Sequence, residues 1–245
     1  MKRFRADLHI HTVLSPCATL EMSPSKIVAE ARNKELDMIG ITDHNHTANC
    51  LLTRRLGTAA GLGVLMGTEV TTREEIHCLA YFPDEHLLGL FQDWMYGSIL
   101  KVKNDPRKTG YQLIVDENEA ITDEVDYYLG ASLSHSIEEV GSRVHELEGI
   151  FIPAHIERGK NSVYSQLGFI PAGLNADAYE ISARSERNEV LIAHPELSGE
   201  CIVSNSDAHT LDQIGEKCLL LEMESCTFEE FRNALRKTGG RKVVL

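Results

Sequence analysis

The chain has 245 residues, 42% of them apolar and 25% charged, an ordinary globular balance with length for one large α/β domain or two small ones. No apolar run approaches the roughly 18–20 residues that a bilayer-spanning helix needs, so no membrane partner is expected. The formal net charge of −13 disfavours sequence-independent attraction to a polyanion, and no binding to duplex nucleic acid is expected; a small phosphorylated substrate reached through bound cations stays compatible.

The basic start, Met1 to Arg5, leads into a polar strand without an apolar signal core, and a cytoplasmic location is expected. Cysteines 17, 50, 78, 201, 218 and 226 show no paired spacing, which suggests reduced thiols. Cys78, Cys201 and Cys218 fall in apolar runs as core fillers.

The first strand holds Asp7-Leu8-His9-Ile10-His11. Period-two alternation puts Asp7, His9 and His11 on one face and Leu8 and Ile10 on the other. Two imidazoles side by side at a strand end can hold one metal ion or two neighbouring ones. Ser23-Pro24 then caps a helix ending near Lys34, with Ile27, Val28 and Ala31 on its apolar stripe. A buried strand over Asp37 to Asn45, a helix over roughly Thr47 to Ala60, a strand over Gly63 to Thr71 and another over Ile76 to Phe82 follow. Residues 84 to 148 are less regular, with a short helix over Leu87 to Trp94, a hairpin turn around Asp116 to Glu119 and a helix over Ile137 to Leu147. Further strands run over Gly149–His155, Ala178–Ser182, Cys201–His209, Cys218–Glu222 and the terminal Lys242–Leu245, with a helix at Thr227–Lys237. Apolar runs alternating with helices indicate parallel strands joined by crossovers.

Most of these runs end in a histidine or an acid: His9, His11, His44, Glu69, His77, His155, Asp207 and His209. Six of the eleven histidines occupy such positions, which places them on the C-terminal rim of one sheet, where barrel-type α/β folds carry chemistry. Nitrogen and carboxylate donors in this ratio suit Zn²⁺, Mn²⁺ or Fe²⁺ better than Mg²⁺ or Ca²⁺. Eight ligands exceed the needs of one ion; two or three divalent ions bridged by a carboxylate would use them.

Asp-Leu-His-Ile-His at 7–11, Ile-Thr-Asp-His at 41–44, Gly-Thr-Glu at 67–69, Pro-Ala-His at 153–155 and Ser-Asp-Ala-His at 206–209 resemble, in order, the motifs of the PHP (polymerase and histidinol phosphatase) family. The resemblance implies a distorted, TIM-like (β/α)7 barrel with up to three metal ions at its C-terminal rim, hydrolysing phosphoesters. It implies that His9, His11, Glu69 and Asp207 hold one ion, that Glu69 bridges to a second held by His77 and His155, and that His44 and His209 hold a third. Many members place an acid or histidine shortly after the first motif; this chain has Leu14-Ser15-Pro16-Cys17 there, with Glu21 further on. Glu21 is the favoured donor and Cys17 the alternative, because free cysteines are more often inert.

Asp7 and Asp43 are expected to orient histidines, and His46 to line the pocket. His86, His135, His145 and His194 fall outside the pattern. Arg158, with Lys160 and Arg184 behind it, is the best candidate to clamp a phosphate. Asp207 and His209 are candidates for proton transfer. The whole chain, 1–245, is expected to be one PHP domain with an insertion or lid at about 95–135. The expected activity is hydrolysis of a small phosphomonoester or phosphodiester, nucleotide or oligonucleotide-end in type, by a metal-activated water. The alternatives are hydrolysis of an amide or amine bond and a non-catalytic, metal-stabilised regulatory module.

Overall fold

A computed structural model describes residues 1–244. Its strands are β1 (Lys2–Ile10), β2 (Met38–Ile41), β3 (Gly63–Thr71), β4 (His77–Phe82), β5 (Leu113–Val115), β6 (Ile121–Glu124), β7 (Ile150–Pro153), β8 (Tyr179–Ile181), β9 (Ile202–Ser204), β10 (Leu219–Met223) and β11 (Lys242–Val244). Leu245, which the sequence reading placed in the last strand, lies outside the described residues.

One sheet runs in the order β11-β10-β1-β2-β3-β4-β7, and β8 pairs with β9 beside it. The two join into a ring. At one seam Asp177 donates its backbone N–H to the Phe151 carbonyl and Ile156 to that of Glu180, both at 2.9 Å, handing β7 on to β8. At the other, His11 N–H reaches the Ala208 carbonyl at 3.0 Å and Ala208 N–H the His9 carbonyl at 3.1 Å, so the chain leaving β9 pairs with the end of β1. β1, β2, β3, β4, β7, β8 and β9 therefore make the distorted seven-stranded barrel, while β10 and β11 extend the sheet from the first half of β1.

The strands are not all parallel. β4 runs antiparallel to both β3 and β7. Only Thr72 to Ile76 connect β3 to β4, and a link that short cannot make a crossover, so the chain turns back. Reversal brings His77, the first residue of β4, to the rim reached by the last residues of β3.

A second departure concerns faces. β1 pairs Asp7 with Ile39 and Ile10 with Ile41, so three residues of β1 advance against two of β2. That extra residue is a bulge, and bulges re-aim side chains. Ala6 and Leu8 pack with Leu79, Tyr81, Ile152 and Val203, whereas Ile10 packs in the separate cluster of Ile27, Ala31 and Ile41 under the helices. Asp7 is consequently parted from the histidines with which strict alternation grouped it.

Helices Pro24–Asn33, Cys50–Ala59, Glu85–Ser98, Ile137–Glu146 and Phe228–Leu235 cover the sheet. Ser23 caps the first, its side chain accepting from Lys26 N–H, with Pro24 in the opening turn. The second starts later than its apolar pattern suggested, and the third is longer than Leu87–Trp94. Residues after Ser98 form a short helix, Pro106–Thr109, and the β5–β6 hairpin, whose turn lies where the Asp116–Glu119 run placed it. This segment packs on the loops that follow β1 and β2. Leu113 N–H donates to the Val13 carbonyl at 3.0 Å, and Asn45 Nδ2 to the carbonyls of Leu129 and Ala131 at 2.7 and 2.9 Å. At Gly110, φ is +100° and a Cβ would stand 1.8 Å from the Pro16 carbonyl oxygen, so only glycine fits.

Candidate metal centre

Each converging side chain leaves the end of a barrel strand. His9 and His11 follow the bulge in β1, and His44 lies just beyond β2. Glu69 sits in β3, tied to the β2 extension by Glu69 N–H to the Asp43 carbonyl and Asn45 N–H to the Glu69 carbonyl, both 3.0 Å. His155 and Asp207 occupy left-handed backbone, φ 31° and 55°, just after β7 and β9. Non-glycine residues in that region are strained and cluster at functional sites; here each turns its side chain onto the rim.

Glu69 is the hub. Its Oε1 lies 3.1 Å from His77 Nδ1, 3.1 Å from His155 Nε2 and 3.4 Å from His9 Nε2. Its Oε2 lies 3.1 Å from His44 Nδ1 and 3.4 Å from His11 Nε2. Asp207 Oδ1 stands 3.3 Å from Nε2 of both His9 and His11, and those two nitrogens are 3.2 Å apart. All of these groups are buried except the partly exposed Asp207 and His77.

The hydrogen-bond partners fix where the imidazole protons lie. A carboxylate or carbonyl oxygen only accepts, so His9 Nδ1 donates to Glu180 Oε2 at 2.9 Å and His209 Nδ1 to the Asp207 carbonyl at 2.8 Å. Ser15 Oγ donates to Asp43 Oδ1 at 2.7 Å and therefore accepts from His11 Nδ1 at 2.9 Å. In neutral form, His9 and His11 would therefore point bare Nε2 lone pairs at one another and at carboxylate oxygens. Nδ1 of His44 and of His155 is buried with no hydrogen-bond partner among the described residues. Only protons or cations can reconcile such a donor set, and the residues fit divalent ions.

The ionisation pattern agrees. Burial pushes the Glu69 carboxyl up, but His77, His9 and His44 outweigh that and hold it well below the carboxylate range; Asp207 is likewise held low by His9 and His11 against its burial. Burial lowers an imidazole, yet the carboxylates of Glu180, Asp207 and Glu69 hold His9 well above its usual value, and Asp207 and Glu69 raise His11 to about 9. Burial drives His44 well down and, with His11 nearby, takes His209 to about 4. Protons on His9 and His11 play the part of a cation, and a metal ion held there would displace them.

Three groups of donor atoms each lie within 4.8 Å of one another: His9, His11, Glu69 and Asp207; His44, Glu69 and His77; and His11, Cys17, His44 and His209. Glu21 is in none of them. It is solvent-exposed, while turns closed by Ala18 N–H to the Ser15 carbonyl and Met22 N–H to the Thr19 carbonyl, both 3.0 Å, carry Cys17 to the rim and Glu21 away. Burial and the nearby Glu69 and Asp207 push the Cys17 thiol well up. Arg158 reaches the centre, its Nη2 2.8 Å from Asp207 Oδ2, and with Lys160 it lines the opening, a cavity of about 170 Å³. Arg184 does not line it.

Asp43 acts on a histidine through Ser15. Asp7 instead accepts from Ser206 Oγ at 2.5 Å and from Gly215 N–H at 2.8 Å, and so fixes the loop that carries Asp207; its burial raises it to about 6. Glu180 and Ser15 escaped the sequence reading. An acid flanked by Tyr179 and Ile181 inside an apolar strand was the available signal for Glu180.

Comparison with known proteins places this geometry. The Bacillus subtilis (strain 168) protein YqxK is 25% identical over 279 residues, spanning 100% of this chain and 65% of its own length. The lesion-specific endonuclease PfuEndoQ of Pyrococcus furiosus shares the fold at a TM-score of 0.79 and 21% identity, over 100% of this chain and 58% of that one. An endonuclease Q complexed with a 27-mer duplex carrying an abasic lesion at the active site gives 0.74 and 20%, over 98% and 58%. The chain thus spans less than two thirds of the relatives it matches. The last structure corrects the expectation that duplex nucleic acid is excluded, since a chain of this fold holds one. Net charge sums the whole surface, whereas a duplex responds to the local field where it docks, so a formal charge of −13 does not by itself exclude one. The model of the PHP domain matches residues 7–155, and this chain belongs to the PHP domain family.

Proposed function

We propose that the chain is a metal-dependent phosphoesterase acting on a phosphomonoester or phosphodiester of nucleotide or nucleic-acid type. The carrying observation is the ring of five imidazoles around Glu69, two of which, His9 and His11, commit their Nδ1 protons outward. His9, His11, Glu69 and Asp207 would hold one cation, Glu69, His77 and His155 a second, and His44 and His209 a third, with zinc, manganese and iron the ions that suit them. Bound there, such ions supply Lewis acidity, acidifying water toward neutral pH and neutralising charge at phosphorus.

The chain's own side chains do the rest. Arg158 spends one Nη on Asp207 and has other N–H groups to offer a phosphate oxygen at the mouth. His209 gives its Nδ1–H to the Asp207 carbonyl and would lend its other nitrogen to the third cation, so of the two residues expected to move a proton Asp207 is the one with an oxygen left at the mouth. Glu180 and the Ser15–Asp43 pair keep His9 and His11 in the tautomer that faces inward. We further infer that residues 1–245 work as one PHP unit, with the segment at about 95–135 a lid that shapes substrate choice; its bonds to Val13 and Asn45 support that reading.

The test loads metal-stripped protein with zinc or manganese and presents aryl phosphates, phosphorylated oligonucleotides, duplexes with and without an abasic site, and matched amides. Hydrolysis confined to the phosphoesters, absent in Glu69→Gln, is expected. Turnover of the amides alone, or turnover that survives chelation, overturns the proposal.

A further inference from the structure

Cys17 stands where many relatives are expected to carry an acid or a histidine, and it does not sit there idly. Its Sγ is one of the four donor atoms, with those of His11, His44 and His209, that lie within 4.8 Å of one another. His11 is also a member of the Glu69 and Asp207 group, and its Nδ1 is bound to Ser15, so one imidazole nitrogen cannot serve both positions. That leaves sulfur and the His209 ring for the outer position, with His44 between it and Glu69: the buried His44 Nδ1 makes no hydrogen bond among the described residues although Glu69 Oε2 stands 3.1 Å away.

The backbone holds the thiol in place. Thr19 N–H, two residues on, donates to the carbonyl of His209 itself at 2.9 Å, so the loops bearing Cys17 and His209 are bonded directly. Ser15, two residues before, orients His11 and accepts from His44 N–H at 3.1 Å. Gly110 packs its Cα against the carbonyl of Pro16, pinning the loop from outside. A thiol fixed from three sides against two imidazoles is a prepared donor.

We propose that Cys17 binds the third cation as a thiolate, giving this protein an S,N,N outer position selective for a thiophilic ion such as Zn²⁺, beside two inner positions built only of nitrogen and oxygen. The inference rests on the metal-centre reading above. Binding breaks the S–H bond, releases its proton to solvent and forms the metal–sulfur bond with no change of oxidation state. Thiolate favours zinc, whereas manganese and magnesium prefer oxygen, so the outer position should fill with zinc even when manganese occupies the others.

The test uses cobalt(II) as a spectroscopic stand-in, added stepwise to the metal-stripped full chain. Wild type should develop the visible ligand-field bands of protein-bound cobalt and, with the last equivalent, a near-ultraviolet sulfur-to-cobalt charge-transfer band. Cys17→Ser should lose that band and weaken the last equivalent of zinc by at least ~10–100-fold, the range that follows loss of even an outer partner of a ligand. Cys17→Asp should restore the stoichiometry without the band. On wild type, zinc should protect Cys17 from iodoacetamide by a similar factor, read by peptide mass spectrometry. Ligand-field bands without the sulfur band, a sulfur band that persists in Cys17→Ser, or alkylation indifferent to zinc overturns the inference while the metal centre stands. No cobalt binding at all sinks both.

Discussion

Glu69 and Asp177 sit at opposite ends of the barrel, Glu69 among five histidines and Asp177 beside one, and their surroundings differ in what protons they supply. Asp177 Oδ2 accepts from His145 Nε2 and from Phe151 N–H, both at 2.9 Å, and Arg236 Nη2 lies 3.6 Å from Oδ1. Each side-chain or backbone nitrogen that approaches Asp177 there carries a proton to give. Around Glu69, five imidazoles approach within 3.4 Å, and those of His9 and His11 have spent their N–H groups elsewhere. The Asp177 end also holds the larger cavity, about 680 Å³, yet there Asp177 is paired with His145 and Arg236. Size alone does not mark a metal site; unspent acceptors do. One end is a paired network that ties β7, β8 and the last helix together, and the other is a cluster of donor atoms that fits a cation.

The sharpest way to break this comparison is to remove each hub. Glu69→Gln should lose bound metal and lower the hydrolytic rate by about 10²–10³-fold or more, while Asp177→Asn leaves metal content and rate unchanged. Equal losses in both variants would erase the distinction. Next in size is the effect of loading. A metal at a thousand times its dissociation constant should stabilise the native chain by about 4 kcal/mol, seen as a rise in Tm that chelation reverses. Protons on His9 and His11 compete with it, so apparent affinity should fall as the pH drops below about 9, the value to which His11 is raised. A pH-independent affinity would contradict the proton-for-metal exchange.

Asp177→Asn should cost about 1.5–3 kcal/mol of stability at neutral pH through its charge-assisted hydrogen bonds. Burial pushes Asp177 up, but His145 and the Phe151 N–H outweigh it and hold the carboxyl low. Its contribution is therefore complete above the unfolded value of about 3.9 and is lost as the pH falls through the lower folded one. The gap between variant and wild type, measured by denaturant unfolding, should close below about pH 4 and stay open above it. Smallest at the centre is Ser15→Ala, which frees the His11 ring without deleting a donor; metal affinity should weaken by about 10–100-fold. Arg55→Ala, which breaks the exposed pair with Glu117 at 2.7 Å, is the surface control and should cost less than about 1 kcal/mol.

The strand-end rule located the centre because a barrel places successive strand ends in one ring, so His44, Glu69, His155 and Asp207 needed only their local position to be found. Ser23-Pro24 and the Asp116 turn were legible for the same reason: caps and turns are written within a few residues. Glu180 was not, since an acid within a strand reads alike whether it faces solvent or a histidine 171 residues away. Cys17 against Glu21 was undecidable in one dimension, because the path of the loop after β1 depends on Thr19 meeting the His209 carbonyl.

From the amino-acid order alone came the alternation of strand and helix, the family motifs and the residue types that crowd the rim; apolar periodicity and motif spacing are local properties. The packed molecule alone decided that a bulge in β1 separates Asp7 from His9 and His11, that β4 runs backwards, and that sulfur stands beside His44 and His209. Register, strand direction and loop path are settled by hydrogen bonds between residues far apart in the chain, and those bonds exist only once the barrel has closed.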